Sequence, residues 1–174
     1  MLKLTLVAAA TSALLLSGCG QSASPATKRQ PGSWTQKIDV VRLDGKSAAD
    51  KAALQRTFDT YSFMSICLTP EAAAKEDVTA DLGNVGGSGT SCIFDKRSVS
   101  GDAIETSGIC GAGTTKARMS VKGTSGTTAQ DLMVTIEPVD KNIPGAGTIV
   151  MHMTAKRGGA CTPQDITPPV QGAK

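Results

Sequence analysis

From residue 91 onward short apolar runs alternate with turn residues, and this alternation restricts the fold more than any other feature of the sequence. The turns are rich in glycine and serine, residues that readily adopt the backbone angles of tight turns. Strands joined by short turns usually pair with their neighbours in the sequence, so the pattern predicts an antiparallel meander. The predicted strands fall near 91–98, 103–110, 114–122, 130–139 and 147–157.

The first part of the chain predicts one longer strand, a short extended piece and two helices. Side chains alternate from Trp34 to Val41, as in a half-buried strand, and Ile66-Cys67-Leu68 is a short extended piece. Ser47-Ala48-Ala49-Asp50 resembles a capping box, so a helix is expected from Ala48 to Ser62. In Thr69-Pro70-Glu71 an N-cap residue precedes proline and an acidic residue, which predicts a second helix ending near Lys75.

The apolar stripe of the longer helix consists of Leu54, Phe58 and Tyr61. Aromatic residues make up only 3% of the chain, so its core can hardly spare two of them. We therefore expect the stripe to pack on the sheet, although a partner-binding face would show the same spacing. The expected fold class is mainly β (α+β): an antiparallel β-meander, forming a curved sheet or partial barrel, packed with one main N-terminal helix and one short helix.

Five cysteines occur, and four of them lie within the predicted domain. A hairpin centred on Gly101 places Cys92 opposite Cys110, where Cβ atoms are about 4.5–5.5 Å apart and a disulfide needs only a small adjustment. By elimination Cys67 bonds with Cys161. Metal ligands or free thiols are the alternatives, but the sequence has no Cys-x-x-Cys spacing, so we expect neither a metal site nor a cofactor.

The N-terminus has the three parts of an export signal. Lys3 supplies the positive region, an apolar stretch follows, and Leu16-Ser17-Gly18-Cys19 resembles the lipobox of bacterial lipoproteins. The apolar stretch is shorter than the roughly 20 residues that a membrane-spanning helix needs. We therefore expect cleavage before Cys19 and lipidation of that cysteine; the alternative is an ordinary secretory signal with a chance cysteine.

These boundaries divide the chain into four parts. Residues 1–18 are the expected signal peptide, 19–30 the lipidated cysteine with a flexible tether, 31–163 a single β-rich domain and 164–174 a polar tail. Gly20 follows the cysteine, whereas lipoproteins of the inner membrane typically have aspartate there, so we expect anchoring in the outer membrane, facing the periplasm.

Charge argues against a nucleic-acid partner. Loss of Lys3 with the signal leaves 17 of the 18 basic residues against 15 acidic ones, a net charge of +2, and no basic block occurs. A balance of this kind does not indicate nucleic-acid binding.

Four landmarks occur along the predicted domain: Pro31-Gly32-Ser33-Trp34, Cys67-Leu68-Thr69-Pro70-Glu71, the cysteines at 92 and 110, and Arg157 with Cys161-Thr162-Pro163. Together they resemble the family called domain of unknown function 3617, a group of small exported proteobacterial proteins. The resemblance spans about Gln30 to Pro163, and it implies a β-rich domain with a closing cysteine. It implies no established activity and no catalytic residue.

The sequence contains no catalytic constellation that we can identify. His152 is its one histidine, and strand alternation puts Met151 and Met153 on the opposite face, so we expect an exposed strand histidine rather than a general base. The one adjacent acidic pair, Glu76-Asp77, follows the second helix and is expected to be solvated. No Gly-x-Ser-x-Gly nucleophile elbow occurs. We therefore expect a protein that is not an enzyme.

Four methionines in the strand-rich half need a separate interpretation. Thioethers bind Cu(I), so a copper-binding protein is one alternative. Methionine also fills gaps in a core that is poor in aromatic residues, and we favour this role. The four are Met119, Met133, Met151 and Met153.

Three classes of function remain. We favour a lipid-anchored binding or envelope-maintenance module, bound to the membrane by its N-terminal lipid, whose curved sheet holds a small apolar ligand or contacts another envelope protein. The second is an inhibitor or protein-interaction lipoprotein, similar in layout to small lysozyme inhibitors, which would present the glycine-rich loop 83–91. The third, an enzyme, lacks the necessary residues.

Overall fold

The computed structural model describes residues 25–76, 92–143 and 145–168. These residues form seven strands and two helices, and a short 3-10 turn at Gly113–Thr115 precedes the fifth strand. The elements are β1 (Gly32–Leu43), α1 (Ala48–Ser62), β2 (Ser65–Leu68), α2 (Pro70–Lys75), β3 (Cys92–Ser100), β4 (Ala103–Cys110), β5 (Ala117–Ser125), β6 (Ala129–Pro138) and β7 (Ile149–Gly159).

All seven strands belong to one open antiparallel sheet in the order β2-β1-β7-β6-β5-β4-β3. The segment from β3 to β7 is the predicted meander, because each of these strands pairs with the next one in the sequence. β1 then pairs with β7, which places the first strand of the domain beside the last. The predicted mainly β fold class is confirmed.

The core lies on one face of this sheet, which we call the inner face. Val121, Leu132 and Val134 are each 1% exposed, and Met119 and Met151 are 4% and 6% exposed. They pack in one cluster with the apolar side chains of β4. Side chains that lined a ligand cavity would be more exposed than these are. The inner face between β4 and β7 is therefore filled by the packing of its own side chains.

α1 has the predicted bounds and cap. The backbone NH of Asp50 donates to Ser47 Oγ (3.2 Å), and the NH of Ser47 donates to Asp50 Oδ2 (3.0 Å). The hydrogen bonds from Ser47, side chain first, lower the pKa of Asp50. The cap therefore fixes the helix start where the sequence placed it.

α1 is fastened to β1 by a polar residue as well as by its apolar stripe. Gln55 Nε2 donates to the carbonyl of Ile38 (2.9 Å), and its Oε1 accepts from the NH of Val40 (2.6 Å). The side-chain amide thus replaces a neighbouring strand along the part of β1 that β2 does not pair. Phe58 packs against the core as expected, but the prediction for Tyr61 is wrong, because Tyr61 is 56% exposed. Tyr61 lies in the last turn of α1, six residues after Gln55, the residue that binds the helix to β1.

The outer edge of β2 is covered by residues near the C-terminus. The NH of Cys67 donates to the carbonyl of Ile166 (2.8 Å), and the NH of Ile166 donates to the carbonyl of Ser65 (2.9 Å). Asp165 accepts hydrogen bonds from Ser65 and from Ser33 Oγ (2.9 Å), and these bonds, that of Ser65 first, lower its pKa. The second and third residues of the predicted polar tail, Asp165 and Ile166, are therefore bound to the sheet.

Replacement of Thr106 by valine is expected to raise the free energy of unfolding by about 1 kcal/mol. Thr106 is 1% exposed, and its hydroxyl has no hydrogen-bond partner in the part of the chain that the structure describes. Valine has nearly the same shape and removes the cost of burying an unpaired hydroxyl. Urea unfolding measures the change, and Thr124→Val at an exposed site of β5 serves as the control. A loss of stability in Thr106→Val would mean that the hydroxyl does have a partner.

Candidate functional site

The four domain cysteines form two disulfides, with the predicted pairings. Cys92 and Cys110 are directly opposite in the β3–β4 register and are bonded to each other. Cys67 bonds with Cys161 across 94 residues of sequence and ties β2 to the segment after β7. Among the described residues there is also no group of three or more histidine, cysteine or acidic side chains that could hold a metal ion.

At the start of β1, five residues form a compact cluster that we call the N-terminal junction: Arg29, Gln30, Trp34, Glu76 and Gln130. Trp34 is 2% exposed, and its indole NH donates to the carbonyl of Gln30 (3.0 Å). The guanidinium of Arg29 lies 5.1 Å from the centroid of the Trp34 ring, a cation-π contact. The residues before β1 are thus folded back over its tryptophan.

The charged centre of the N-terminal junction is an ion pair between Arg29 and Glu76. Arg29 Nε donates to Glu76 Oε1 (2.5 Å), and the backbone NH of Arg29 donates to Oε2 (3.3 Å). The Glu76 side chain is 2% exposed and that of Arg29 is 22% exposed. The expectation that Glu76 is solvated is therefore wrong; its partner Arg29 is 47 residues away in sequence, beyond the reach of a local pattern. Asp77 lies outside the described residues.

Part of the predicted tether, residues 26–30, lies against the domain. The NH of Thr27 donates to the carbonyl of Gly101 (2.9 Å), and the NH of Gln30 donates to the carbonyl of Thr127 (2.8 Å). Lys28 Nζ donates to the carbonyl of Ala74, at the end of α2. The segment therefore contacts the β3–β4 turn, the β5–β6 turn and α2 within five residues.

A groove of about 460 Å³ crosses the opposite face of the sheet, the outer face, over β5, β6, β7 and β1. Residues of the outer face alternate along each strand with those of the inner face, as Asp131 does with Leu132. Three threonines, two lysines and one aspartate dominate the lining. The lining residues are Thr35, Gln36, Lys37, Thr124, Ala129, Gln130, Asp131, Thr154, Ala155 and Lys156.

Two of the charged side chains of the groove have partners just outside it. Lys37 Nζ lies 2.7 Å from Asp39 Oδ1, and Asp131 Oδ1 lies 2.8 Å from His152 Nε2. Lys156 is exposed and has no ion-pair partner in the described parts of the chain. The groove thus offers one free cation beside hydroxyl groups that can both donate and accept hydrogen bonds.

Gln130 connects the groove with the N-terminal junction. It lies in the floor of the groove, while its side-chain Oε1 accepts from Arg29 Nη1 (3.3 Å) and its Nε2 donates to Ser125 Oγ (2.7 Å). The strand that forms the middle of the groove is therefore held by the segment that precedes the domain.

His152 lies on the outer face, opposite Met151 and Met153 as predicted, with 34% of its side chain exposed. Its hydrogen bond to Asp131 orients the ring. No serine or threonine hydroxyl within the described ranges is hydrogen-bonded to it, so a nucleophile and base pair is not assembled there.

The structure does not bring the four candidate methionines together. Met119 and Met151 are buried in the inner-face core, and Met153 is partly buried against it. Gln36 Nε2 lies 3.7 Å from the sulfur of Met153. Met133 lies on the outer face and is 38% exposed. Three of the four thus have the predicted core-filling role.

Residues 29–161 match the family described as Protein of unknown function (DUF3617). The chain belongs to the DUF3617 family. No curated protein and no solved structure matches it. In this DUF3617 protein no helix of the described residues is both long and apolar enough to cross a membrane.

Most of the landmarks that we noted in the DUF3617 sequence lie around the N-terminal junction, whereas Cys92 and Cys110 lie in the β3–β4 hairpin. Arg157 Nε donates to the carbonyl of Pro31 (2.7 Å). Gly32 has φ +142°, and a Cβ there would lie 2.1 Å from the carbonyl oxygen of Gly159, so this position requires glycine. Thr69 Oγ1 accepts from the NH of Ala72 (3.1 Å) and caps α2, which presents Glu76 to Arg29. These motifs therefore build a structural joint, and the groove side chains are not among them.

Three predicted features lie outside the described residues. They are the signal peptide, Cys19 and the loop 83–91 that an inhibitor would present. The groove itself was missed from sequence, although Asp131, Thr154 and Lys156 fall on one face of their predicted strands. What the sequence did not reveal is that β1 adds Thr35 and Lys37 beside them.

Proposed function

We propose that this DUF3617 protein is a non-catalytic binding module of the bacterial envelope, held by lipid on Cys19 at the outer membrane and facing the periplasm. The Leu16-Ser17-Gly18-Cys19 motif supports the anchor. A lipid-linked cysteine carries several acyl chains, and each buried methylene contributes about 0.8 kcal/mol, so attachment is stable.

The groove on the outer face is the observation that carries the binding role. Its volume falls within the roughly 300–1,000 Å³ of small-molecule sites, at about 460 Å³. The packed inner face argues for a ligand on this polar surface instead of a small apolar ligand inside the sheet. Threonine hydroxyls and the Asp131 carboxylate suit a ligand with many hydroxyl groups, and Lys156 suits an acidic group. An acidic oligosaccharide combines these properties.

An NMR titration of the mature protein with tetragalacturonate, compared with neutral maltotetraose, tests this ligand class. We expect tetragalacturonate to shift the amide signals of Thr35, Thr154 and Lys156, and maltotetraose to bind more weakly. Lys156→Gln should weaken tetragalacturonate binding about tenfold, because it removes a charged hydrogen-bond donor. Lys116→Gln, at an exposed site outside the groove, is the matched control. Groove signals that do not move with either sugar would contradict the proposal.

Intact-mass spectrometry on protein from native membranes tests the anchor separately. We expect a mature chain that begins at Cys19, with added acyl mass and with four cysteines that react with alkylating agents only after reduction. An unmodified Cys19 would mean that the domain is free in the periplasm, and it would leave the groove proposal intact.

A further inference from the structure

Three large apolar side chains are exposed around the end of α1 and the edge of β2, and we call them the β2 apolar patch. Phe63 is 90% exposed, Tyr61 is 56% exposed and Ile166 is 49% exposed. Phe63 is the C-cap residue of α1, and Ile166 forms a bridge with Ile66 in β2. The three residues therefore lie close together, on an edge where nothing in the described parts of the chain covers them.

The β2 apolar patch lies at the same end of the sheet as the start of the described chain. Ser65, two residues after Phe63, is opposite Thr35, which pairs with Lys156, and Lys156 pairs with Ala129. Ala129 borders the β5–β6 turn, where Thr127 accepts from the backbone of Gln30. Both the patch and the segment that leads back to Cys19 thus lie at the same end of the strands, with the patch at the β2 edge of the sheet and Thr27 at the turn between β3 and β4, near the opposite edge.

The length of chain between this segment and Cys19 limits how far the domain can be from its anchor. Each residue spans at most about 3.6 Å, so the six steps from Pro25 to Cys19 reach roughly 20 Å whatever their conformation. The contacts of residues 26–30 remove the slack that a longer free tether would have. A lipid on Cys19 would therefore hold this end of the domain next to the bilayer surface.

We propose that the β2 apolar patch inserts into the surface of the membrane in which Cys19 is anchored, and this inference rests on the lipid anchor of the proposed function. Aromatic side chains are favoured at membrane–water interfaces, where Tyr61 can keep its hydroxyl in water while Phe63 enters the acyl boundary. Insertion at a second point fixes the orientation of the domain relative to the bilayer.

The opposite end of the sheet supplies a matched control. Ile93 is 78% exposed in β3, next to the Cys92–Cys110 disulfide. It is as apolar as the residues of the patch, but it lies near the start of β3. Thr27 contacts the turn that follows the end of β3, so Ile93 and the N-terminal segment lie at opposite ends of this strand. If exposure alone determined binding to lipid, Ile93 and Phe63 would bind equally, whereas we expect Phe63 to contact the membrane and Ile93 to remain in water.

Hydroxyl-radical footprinting of the acylated mature protein in phosphatidylethanolamine–phosphatidylglycerol vesicles tests the inference. The reference is the mature chain produced without its signal, so that Cys19 carries no acyl group, free in solution. We expect oxidation of Phe63 and Tyr61 to fall at least about threefold in the vesicles, and oxidation of Ile93 to stay the same. Equal oxidation of Phe63 in both samples, with the acyl mass on Cys19 intact, would overturn the patch and leave the anchor standing.

Vesicle partitioning of the non-acylated mature chain tests the same patch without the anchor. Phe63→Ser should lower the partition coefficient about fivefold or more, because it removes the phenyl group that enters the bilayer. Ile93→Ser should leave the partition coefficient unchanged. If Cys19 proves unmodified in native membranes, this measurement still decides whether the patch binds lipid. Equal partitioning of the two variants would contradict membrane insertion. Protection of Phe63 that increases with protein concentration in the absence of vesicles would instead indicate that a second copy of the chain covers the patch.

Discussion

Replacing Cys67 and Cys161 together by serine is expected to lower the free energy of unfolding by about 4–5 kcal/mol. The disulfide closes a loop with a sequence separation of 94 residues. In the chain-entropy account, a cross-link stabilises mainly by restricting the unfolded chain, and the effect grows with the length of the loop. Urea unfolding of the oxidised variant measures the loss, and the slope of the transition should rise because the unfolded chain exposes more surface.

The double replacement of Cys92 and Cys110 by serine is the matched control. These residues are only 18 apart, so the expected loss is about 3 kcal/mol. Their strands are also joined by backbone hydrogen bonds along the whole β3–β4 hairpin, whereas within the described sheet β2 pairs with β1 alone. A larger loss in the hairpin variant than in the Cys67 and Cys161 variant would contradict the loop-length argument.

Replacing Arg29 by alanine is expected to destabilise the domain by about 3 kcal/mol. The change leaves the Glu76 carboxylate, whose side chain is 2% exposed, buried without its cation. It also removes the guanidinium from the Trp34 ring and from Gln130. Removing one partner of a buried ion pair is costly because the remaining charge stays desolvated and no longer has an opposite charge to stabilise it. Thermal and urea unfolding provide the measurement.

Two further variants separate burial from charge. Glu76→Ala should cost less than Arg29→Ala, because Arg29 is 22% exposed and can turn its head group to solvent. Arg118→Ala breaks a surface pair in which Arg118 is 43% and Asp95 is 50% exposed, and it should cost much less than Arg29→Ala because water screens both charges. Similar losses for Arg29→Ala and Arg118→Ala would show that the N-terminal junction behaves as an ordinary surface ion pair.

The parts of the fold that follow from short stretches of sequence were predictable. The Ser47 and Thr69 caps place the helix starts, and the observed bounds of α1 and α2 agree with them. The hairpin around Gly101 and the pairing of Cys92 with Cys110 were predicted as well, but the turn itself pairs Ser100 with Ala103. A bulge between Phe94 and Lys96, which the sequence did not reveal, shifts the register by one residue and brings the two cysteines opposite each other. The strand predicted near 114–122 begins at Ala117, because Gly113–Thr115 form a 3-10 turn that the sequence pattern had assigned in part to the strand.

The parts that depend on distant partners were not predictable from local patterns. Glu76 is buried because Arg29 returns over Trp34 and pairs with it. The helical spacing assigned Phe58 and Tyr61 the same role, yet Phe58 packs on the core and Tyr61 is 56% exposed. The groove needs β1 beside β7, a pairing between residues more than 100 positions apart. Hydrophobic periodicity reports which face a residue takes, but not which strand becomes its neighbour.

The pairing of β1 with β7 also has a consequence for the order in which the protein can fold. Gly32–Leu43 precedes almost all of the domain in the chain, yet its principal partner, Ile149–Gly159, is the last of the described strands. The β3–β6 hairpins can form from neighbouring residues, while β1 has to wait for the end of the chain, and such non-local pairing slows folding. A nascent or truncated chain that stops before β7 would keep one side of β1 without a partner strand. Completion of the C-terminal strand, followed by oxidation of Cys67 and Cys161, would then be the step that commits the chain to its native state.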